Sequence, residues 1–125
     1  MKKIEIDFSI KSMDTDNSFR TIGEYKNNRM KFLDNEDNTN YLVFHKDIVE
    51  YYKKGNSDMK YKFDLSNTTK GEYLLSNYKF VFDIKTIQLI VDENRVLIEF
   101  KLYQDKELVN RTKINIKYIF IKEEQ

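Results

Sequence analysis

The sequence contains a single histidine, His45, and no cysteine, which limits the chemistry that its side chains could perform. Without cysteine there can be no disulfide, no thiolate zinc site and no cysteine nucleophile. One imidazole would need several carboxylates to hold zinc, which is uncommon, and no G-x-S-x-G nucleophile elbow is present. We therefore interpret His45 as a surface or structural residue, and we expect no enzyme activity, no metal and no cofactor.

Two acidic clusters contain the residue types that bind calcium. Asp14 and Asp16 fit the first ligand positions of an EF-hand loop, but Phe19 and Tyr25 stand where that loop needs glycine and glutamate. The second cluster, residues 34–37, has neither the turn glycine nor a flanking helix. We predict that it is a solvated hairpin tip.

Lysine and aromatic residues alternate between positions 51 and 63, a combination that proteins use to bind single-stranded nucleic acid. However, Met59, Tyr61 and Phe63 share one face of a predicted strand, which leaves Lys60 and Lys62 on the opposite, outer face. The net charge is only +1, from 22 basic and 21 acidic residues. The net charge therefore gives no support to nucleic-acid binding, which stays an alternative function.

Apolar and polar residues alternate with a period of two along most of the chain, which predicts β-strands. The densest example is the pair of long segments on either side of Asp92, Glu93 and Asn94. No segment has a convincing helical pattern. The predicted strands are 4–11, 18–26, 29–33, 40–45, 47–53, 59–64, 72–76, 78–91, 96–102 and 108–120.

Local irregularities in the pattern predict particular backbone features. The apolar phase slips at Lys85 and Thr86, which indicates a β-bulge or a sharp bend. Asn27 and Asn28 are suited to a tight turn, because asparagine tolerates positive φ. Gly23 lies within a predicted strand and indicates a close approach of backbones.

About ten strands, short links and no helix predict an all-β fold in which the sheet buries its apolar face against itself. We expect a single antiparallel up-and-down β-barrel of about 8–10 strands, similar to the calycin and lipocalin barrels. There is no shift in composition and no linker, so residues 1–125 are predicted to form one domain. The start of the chain has no apolar signal region after Lys2 and Lys3, which with the lack of cysteine predicts a cytoplasmic protein.

The order of strands and turns resembles the bacterial DUF1934 proteins, which are small calycin-like barrels of unknown function. The resemblance covers most of the chain and is carried by residues 21–25, 49–63, 73–87, 98–102 and 113–116. Two positions depart from the family pattern. Lys54 stands where an arginine is expected, and Asn77 stands where a glycine is expected, although asparagine can adopt the same left-handed conformation.

The resemblance and the supply of inward aromatic residues predict that the barrel binds a small apolar or amphipathic ligand. Whether the interior is open or filled by side chains is not decided by the sequence, because a barrel of eight strands permits both. An interaction module, such as a homodimer without a ligand, is the second hypothesis. The predicted ligand-binding residues are Tyr41, Tyr61, Tyr78, Phe80, Phe82, Phe100 and Tyr118.

Overall fold

Ten β-strands account for most of the chain in a computed structural model that describes residues 1–122. The described residues form no helix, and hence none that could cross a membrane. The strands are β1 (Lys2–Lys11), β2 (Asp16–Lys26), β3 (Arg29–Leu33), β4 (Thr39–Phe44), β5 (Ile48–Lys54), β6 (Asp58–Asp64), β7 (Thr69–Leu75), β8 (Tyr78–Val91), β9 (Arg95–Gln104) and β10 (Glu107–Phe120).

The strands form a closed antiparallel barrel in which each strand pairs with its neighbours in sequence. Closure is made by β1, which pairs with β2 on one side and with β10 on the other. Ile6 lies opposite Tyr118 in the β1–β10 ladder, and Ile10 lies opposite Ile114. The prediction of an all-β, up-and-down barrel is therefore confirmed.

The inward face of each strand supplies the core, as the alternating pattern predicts. Ile4, Ile6 and Phe8 of β1 are buried, while the intervening Glu5 and Asp7 are exposed. The side chains with no exposed surface include Met30, Leu42, Phe63, Ile84, Ile98 and Ile116. The middle of the barrel is thus filled by branched and aromatic side chains from eight or more strands, and it is not an open channel.

Two-residue turns fix the register of several hairpins. Asn27 and Asn28 both have positive φ, of 51° and 60°, as the sequence predicts for a turn of this kind. At the β7–β8 turn the left-handed residue is Ser76, with φ of 55°. The expectation that Asn77 adopts this conformation is wrong, because the strands pair from Leu75 to Tyr78 and Ser76 becomes the first turn residue.

The predicted bulge in β8 is present, and it explains how one long strand keeps two apolar phases. The pairing with β9 skips from Thr86 to Gln88, so Ile87 is the extra residue. Thr86 and Leu89 can therefore both contribute to the interior. A second shift of register lies between Leu108 and Asn110 of β10, in its pairing with β9. The sequence pattern did not predict this one.

Strand β7 begins earlier than predicted. Residues 66–71 carry the composition of a loop, but Thr69 to Gly71 pair with β8. A Cβ atom at Gly71 would lie 2.6 Å from Ile84 Cδ1 and 2.8 Å from Tyr61 Cδ1. Glycine is therefore needed for close packing here rather than for a turn.

Candidate ligand-binding site

The two ends of the barrel differ. Turns alternate between the ends, so the β2–β3, β4–β5, β6–β7 and β8–β9 connections meet at one end, which we call the filled end. There Tyr25 stacks on Phe44 and Tyr118, with ring centroids 6.3 Å and 6.1 Å away. Phe120 packs edge-on against Tyr25 at 5.6 Å. This cluster of aromatic rings occupies most of the space between the strands, and a smaller pocket of about 250 Å³ remains beside the β4–β5 and β6–β7 connections, lined in part by Val49 and Leu89.

The opposite end, which we call the mouth, contains a pocket of about 420 Å³. It lies between the connections that join β1 to β2, β3 to β4, β5 to β6, β7 to β8 and β9 to β10. Its deeper wall is apolar and includes Ile10, Tyr61, Phe82, Phe100, Leu102 and Ile114. Its rim is polar and includes Ser12, Asp14, Asn17, Lys53 and Asn110, while the buried Thr112 lies deeper, opposite Phe100. We refer to this space as the mouth pocket.

Aromatic packing closes the floor of the mouth pocket. Phe63 is fully buried, and its ring centroid lies 4.7 Å from that of Phe100. Tyr61 packs edge-on against Phe100 at 6.1 Å. On the mouth side of these three residues the interior is therefore open, and in the middle of the barrel it is filled by side chains. The sequence did not decide between an open and a filled interior, and the structure combines both.

Three of the seven predicted ligand-binding residues come together at the mouth pocket. Tyr61, Phe82 and Phe100 lie on three different strands, β6, β8 and β9, and all line it. Tyr61 and Phe100 are almost fully buried, and burial raises the pKa of the Tyr61 phenol above its usual value, with a smaller contribution from Tyr73. The phenol of Tyr61 is therefore a neutral group in the wall of this pocket.

The other four predicted residues lie elsewhere. Tyr118 belongs to the filled end, where its hydroxyl donates to the Asp92 carbonyl at 3.4 Å. Tyr41 is on the outer face of β4, with the Lys31 ammonium 5.7 Å from its ring centre. Tyr78 and Phe80 lie at the start of β8, beyond the body of the barrel, and are exposed.

A buried polar network supports one side of the mouth pocket. The Tyr51 hydroxyl donates to Asn40 Oδ1, and Asn40 Nδ2 donates to Asp34 Oδ2 at 2.9 Å. The other oxygen of Asp34 accepts from the backbone N–H groups of Glu36 and Asn38, at 2.8 Å and 3.0 Å. The network ties the β3–β4 loop to the interior of β4 and β5.

Asp34 is ionised within this network. Burial by itself would raise the pKa of its carboxyl, but the hydrogen bonds from Asn40, Asn38 and Glu36 and the charge of Lys53 lower it below its ordinary value. The prediction of a solvated tip is therefore wrong for Asp34, because this residue is a structural acceptor. The sequence signal that could have predicted this role is Asn40, a polar residue at an inward position of β4 that needs a buried hydrogen-bond partner.

Lys53 is an inward-facing cation at the rim of the mouth pocket. Its neighbours across the sheet are Asn40, which is fully buried, and Met59. The ion pairs within 4 Å in the described part of the chain do not include Lys53. Its side chain lines the pocket, and the alternation of β5, in which Val49 and Tyr51 are also inward, could have indicated this direction.

The remaining candidates for chemistry are surface features. His45 Nε2 lies 3.2 Å from Glu50 Oε2, and both groups are partly exposed. Asp14 accepts hydrogen bonds from the Ser12 hydroxyl and from Asn110 Nδ2, at 2.8 Å and 3.3 Å. Among residues 1–122 there is no group of three or more histidine or acidic side chains that could hold a metal ion.

The fold and the mouth pocket define a closed ten-stranded antiparallel barrel that is filled at one end and open at the other. The chain is similar in structure to the ywiB protein of Bacillus subtilis, whose crystal structure superposes with a TM-score of 0.66. The two chains are 17% identical, and the match covers 96% of this chain and 91% of that one. No protein-family model matches the sequence, and no curated protein matches it. At this identity the likeness establishes the fold alone.

Proposed function

We propose that this protein binds a small amphipathic molecule in the mouth pocket, without catalysis. The observation that carries the proposal is the convergence of Tyr61, Phe82 and Phe100 on one pocket of about 420 Å³. Pockets for small ligands are commonly about 300–1,000 Å³, with apolar walls and a few placed polar groups. The mouth pocket has a volume in this range, and it combines an apolar wall with a polar rim.

The distribution of polar groups favours an amphipathic ligand over a purely apolar one. An apolar part of the ligand would contact Phe82 and Phe100, while its polar part would remain near Lys53 and Asn110 at the rim. In this proposal the Tyr61 phenol, kept neutral by burial, donates a hydrogen bond to the ligand. The absence of cysteine from the sequence fits a cytoplasmic location for this activity.

We also propose that the chain is a divergent member of the DUF1934 family. The support is the order of its β-segments together with the close packing at two glycines of the shared pattern. A Cβ at Gly23 would lie 2.6 Å from the Lys31 carbonyl oxygen, and one at Gly55 would lie 2.5 Å from the Asp37 carbonyl oxygen. These glycines are required by this barrel, so a family that shares the barrel would retain them.

A tryptophan substitution at the pocket wall provides a direct test of ligand binding. Leu102 lines the mouth pocket and is 7% exposed, and the protein has no native tryptophan. In Leu102→Trp, the indole is expected to occupy part of the pocket. Its emission should shift when a ligand enters, and the affinity for the probe 8-anilinonaphthalene-1-sulfonate should fall by about tenfold, equivalent to about 1.4 kcal/mol.

The matched control is Tyr103→Trp on the same strand. Tyr103 is the next residue of β9, so its side chain points to the outer face. The probe should bind this variant with the affinity of the unmodified protein, because the new indole lies outside the pocket. Equal probe affinities in the two variants, or no saturable probe binding by the unmodified protein, would contradict the proposal.

A further inference from the structure

The β7–β8 hairpin projects beyond the end of β9 at the mouth. Residues 78–82 of β8 pair with β7, from Tyr78 opposite Leu75 to Phe82 opposite Gly71. On the other side of β8, pairing with β9 begins only at Asp83. The edge of residues 78–82 therefore has no strand beside it in the described structure, and we call this segment the β8 edge.

The β8 edge and its hairpin are unusually apolar for an exposed element. Tyr78 is 72% exposed, Leu75 48%, Val81 45%, Leu74 41% and Phe80 38%. Open edges of this kind are normally protected by proline, by several charges or by a bulge, because they can pair with another strand. The β8 edge has one charge, Lys79, and it has neither proline nor a bulge.

We propose that the β8 edge pairs antiparallel with the β8 edge of a second copy of this chain, forming a two-fold symmetric dimer. One face of the segment carries Tyr78, Phe80 and Phe82. Because these aromatic residues are evenly spaced, they match the same residues of a second copy that runs in the opposite direction. With the two-fold axis at Phe80, each Tyr78 lies opposite the Phe82 of the second copy and the two Phe80 residues meet. Aromatic pairs across a strand boundary stabilise a sheet.

Charge placement is compatible with this self-pairing. In the same register, each Lys79 lies opposite Val81 of the second copy, so no like charges are directly opposed. Within one chain, the Lys79 ammonium already lies 3.1 Å from Glu72 Oε1, and Glu72 is the β7 partner of Val81. The carboxylate of Glu72 in one copy is thus close to the site where Lys79 of the other copy arrives.

The extent of the contact predicts a weak dimer. One edge of five residues and the side chains around it form a small interface, at or below the lower end of about 1,200 Å² that is typical of specific complexes. We therefore expect a dissociation constant in the micromolar range. Phe82 belongs both to this edge and to the wall of the mouth pocket, but the self-association does not rest on the proposed ligand binding.

Opposite charges at Val81 test both the surface and the register. Val81→Lys places an ammonium group opposite Lys79 of the second copy, twice in each dimer, so sedimentation velocity should show at least about tenfold weaker dimerisation. Val81→Glu places a carboxylate there and should strengthen it. Within the monomer Val81→Lys gains Glu72 as a cross-strand neighbour, and circular dichroism of each variant checks that a loss of dimer does not come from unfolding.

Ile22→Lys is the matched control. Ile22 is an exposed apolar residue, 56% accessible, that pairs with Glu5 of β1 and lies outside the β8 edge, and its replacement should leave dimerisation unchanged. The proposal is overturned if the unmodified protein stays monomeric up to about 500 µM, where a micromolar dimer would be saturated. It is overturned equally if Val81→Lys dimerises normally, or if Val81→Glu weakens the dimer as much as Val81→Lys does.

Discussion

At the scale of single residues, polar side chains inside the barrel account for the shape of the mouth. Asn40 is fully buried, and it connects the Tyr51 hydroxyl to the Asp34 carboxylate. A buried polar group without a partner costs about 1–3 kcal/mol, so each member of this chain of hydrogen bonds needs the others. The network holds the β3–β4 loop at the rim of the mouth pocket.

The lowered pKa of Asp34 makes part of the stability depend on pH. A carboxyl whose pKa is lower in the folded state stabilises the fold above its ordinary value of 3.8, and that contribution is lost as the pH falls through the folded-state pKa. We predict that Asp34→Asn is less stable than the unmodified protein near neutral pH and that the difference shrinks below about pH 4. Urea unfolding at a series of pH values measures the free energy of unfolding of both proteins as a function of pH.

Asp16→Asn serves as the control for this experiment. Asp16 is an exposed residue at the start of β2, so its replacement removes one negative charge without disturbing the network. Its stability curve should stay parallel to that of the unmodified protein. A difference for Asp34→Asn that is constant, or that grows as the pH falls, would show that the ionised carboxylate does not stabilise the fold.

The alternation of apolar and polar residues predicted correctly that some aromatic side chains point into the barrel, and it failed for others. Tyr61 follows the alternation of Met59 and Phe63 and is inward, as expected. In β4 the inward positions are held by Asn40 and Leu42, while Tyr41 is outward. Where an aromatic residue lies on the outer face and a polar one on the inner face, hydrophobicity alone assigns the wrong side.

At the scale of elements, two glycines show how tightly the strands pack. A Cβ at Gly23 would meet the backbone oxygen of Lys31 at 2.6 Å, which can move only if β3 moves. A Cβ at Gly71 would meet side-chain atoms only, the Ile84 Cδ1 methyl group and the edge of the Tyr61 ring, and Tyr61 borders the open mouth pocket. The same added methyl group therefore has different costs at the two positions.

We predict that Gly23→Ala lowers the free energy of unfolding by about 3 kcal/mol and Gly71→Ala by about 1 kcal/mol. The effect of alanine on the unfolded chain is similar in both variants, about 0.4–1 kcal/mol, so the comparison isolates the folded state. Denaturant unfolding gives the two values. If Gly71→Ala were at least as destabilising as Gly23→Ala, the open space beside Tyr61 would not exist.

The elements themselves were largely predictable, because period-two alternation follows directly from strand geometry. The bulge near Thr86 could be predicted since an extra residue changes the phase of the pattern. The start of β7 could not, because Thr69 to Gly71 resemble a loop and are held in the sheet by Ile84 and Tyr61, which are distant in sequence. The projecting β8 edge likewise depends on where β9 ends, which the pattern of β8 does not contain.

At the scale of the whole molecule, closure follows from the sequence but the difference between the two ends does not. Ten alternating strands with short links bury their apolar face by closing, and β1 completes the ring with β10. Which end is filled depends on how Tyr25, Phe44 and Tyr118, from three different strands, stack on one another. Such contacts between distant residues are set by register, and no local pattern specifies them.

The central claim is that the mouth binds a ligand and the filled end does not. Nuclear magnetic resonance of the isotope-labelled protein, titrated with 8-anilinonaphthalene-1-sulfonate, tests it most directly. The account predicts saturable changes in chemical shift at Phe82, Phe100 and Thr112, with Phe44 and Tyr118 unchanged. Changes at the filled end, or changes spread evenly over the outer wall, would contradict it.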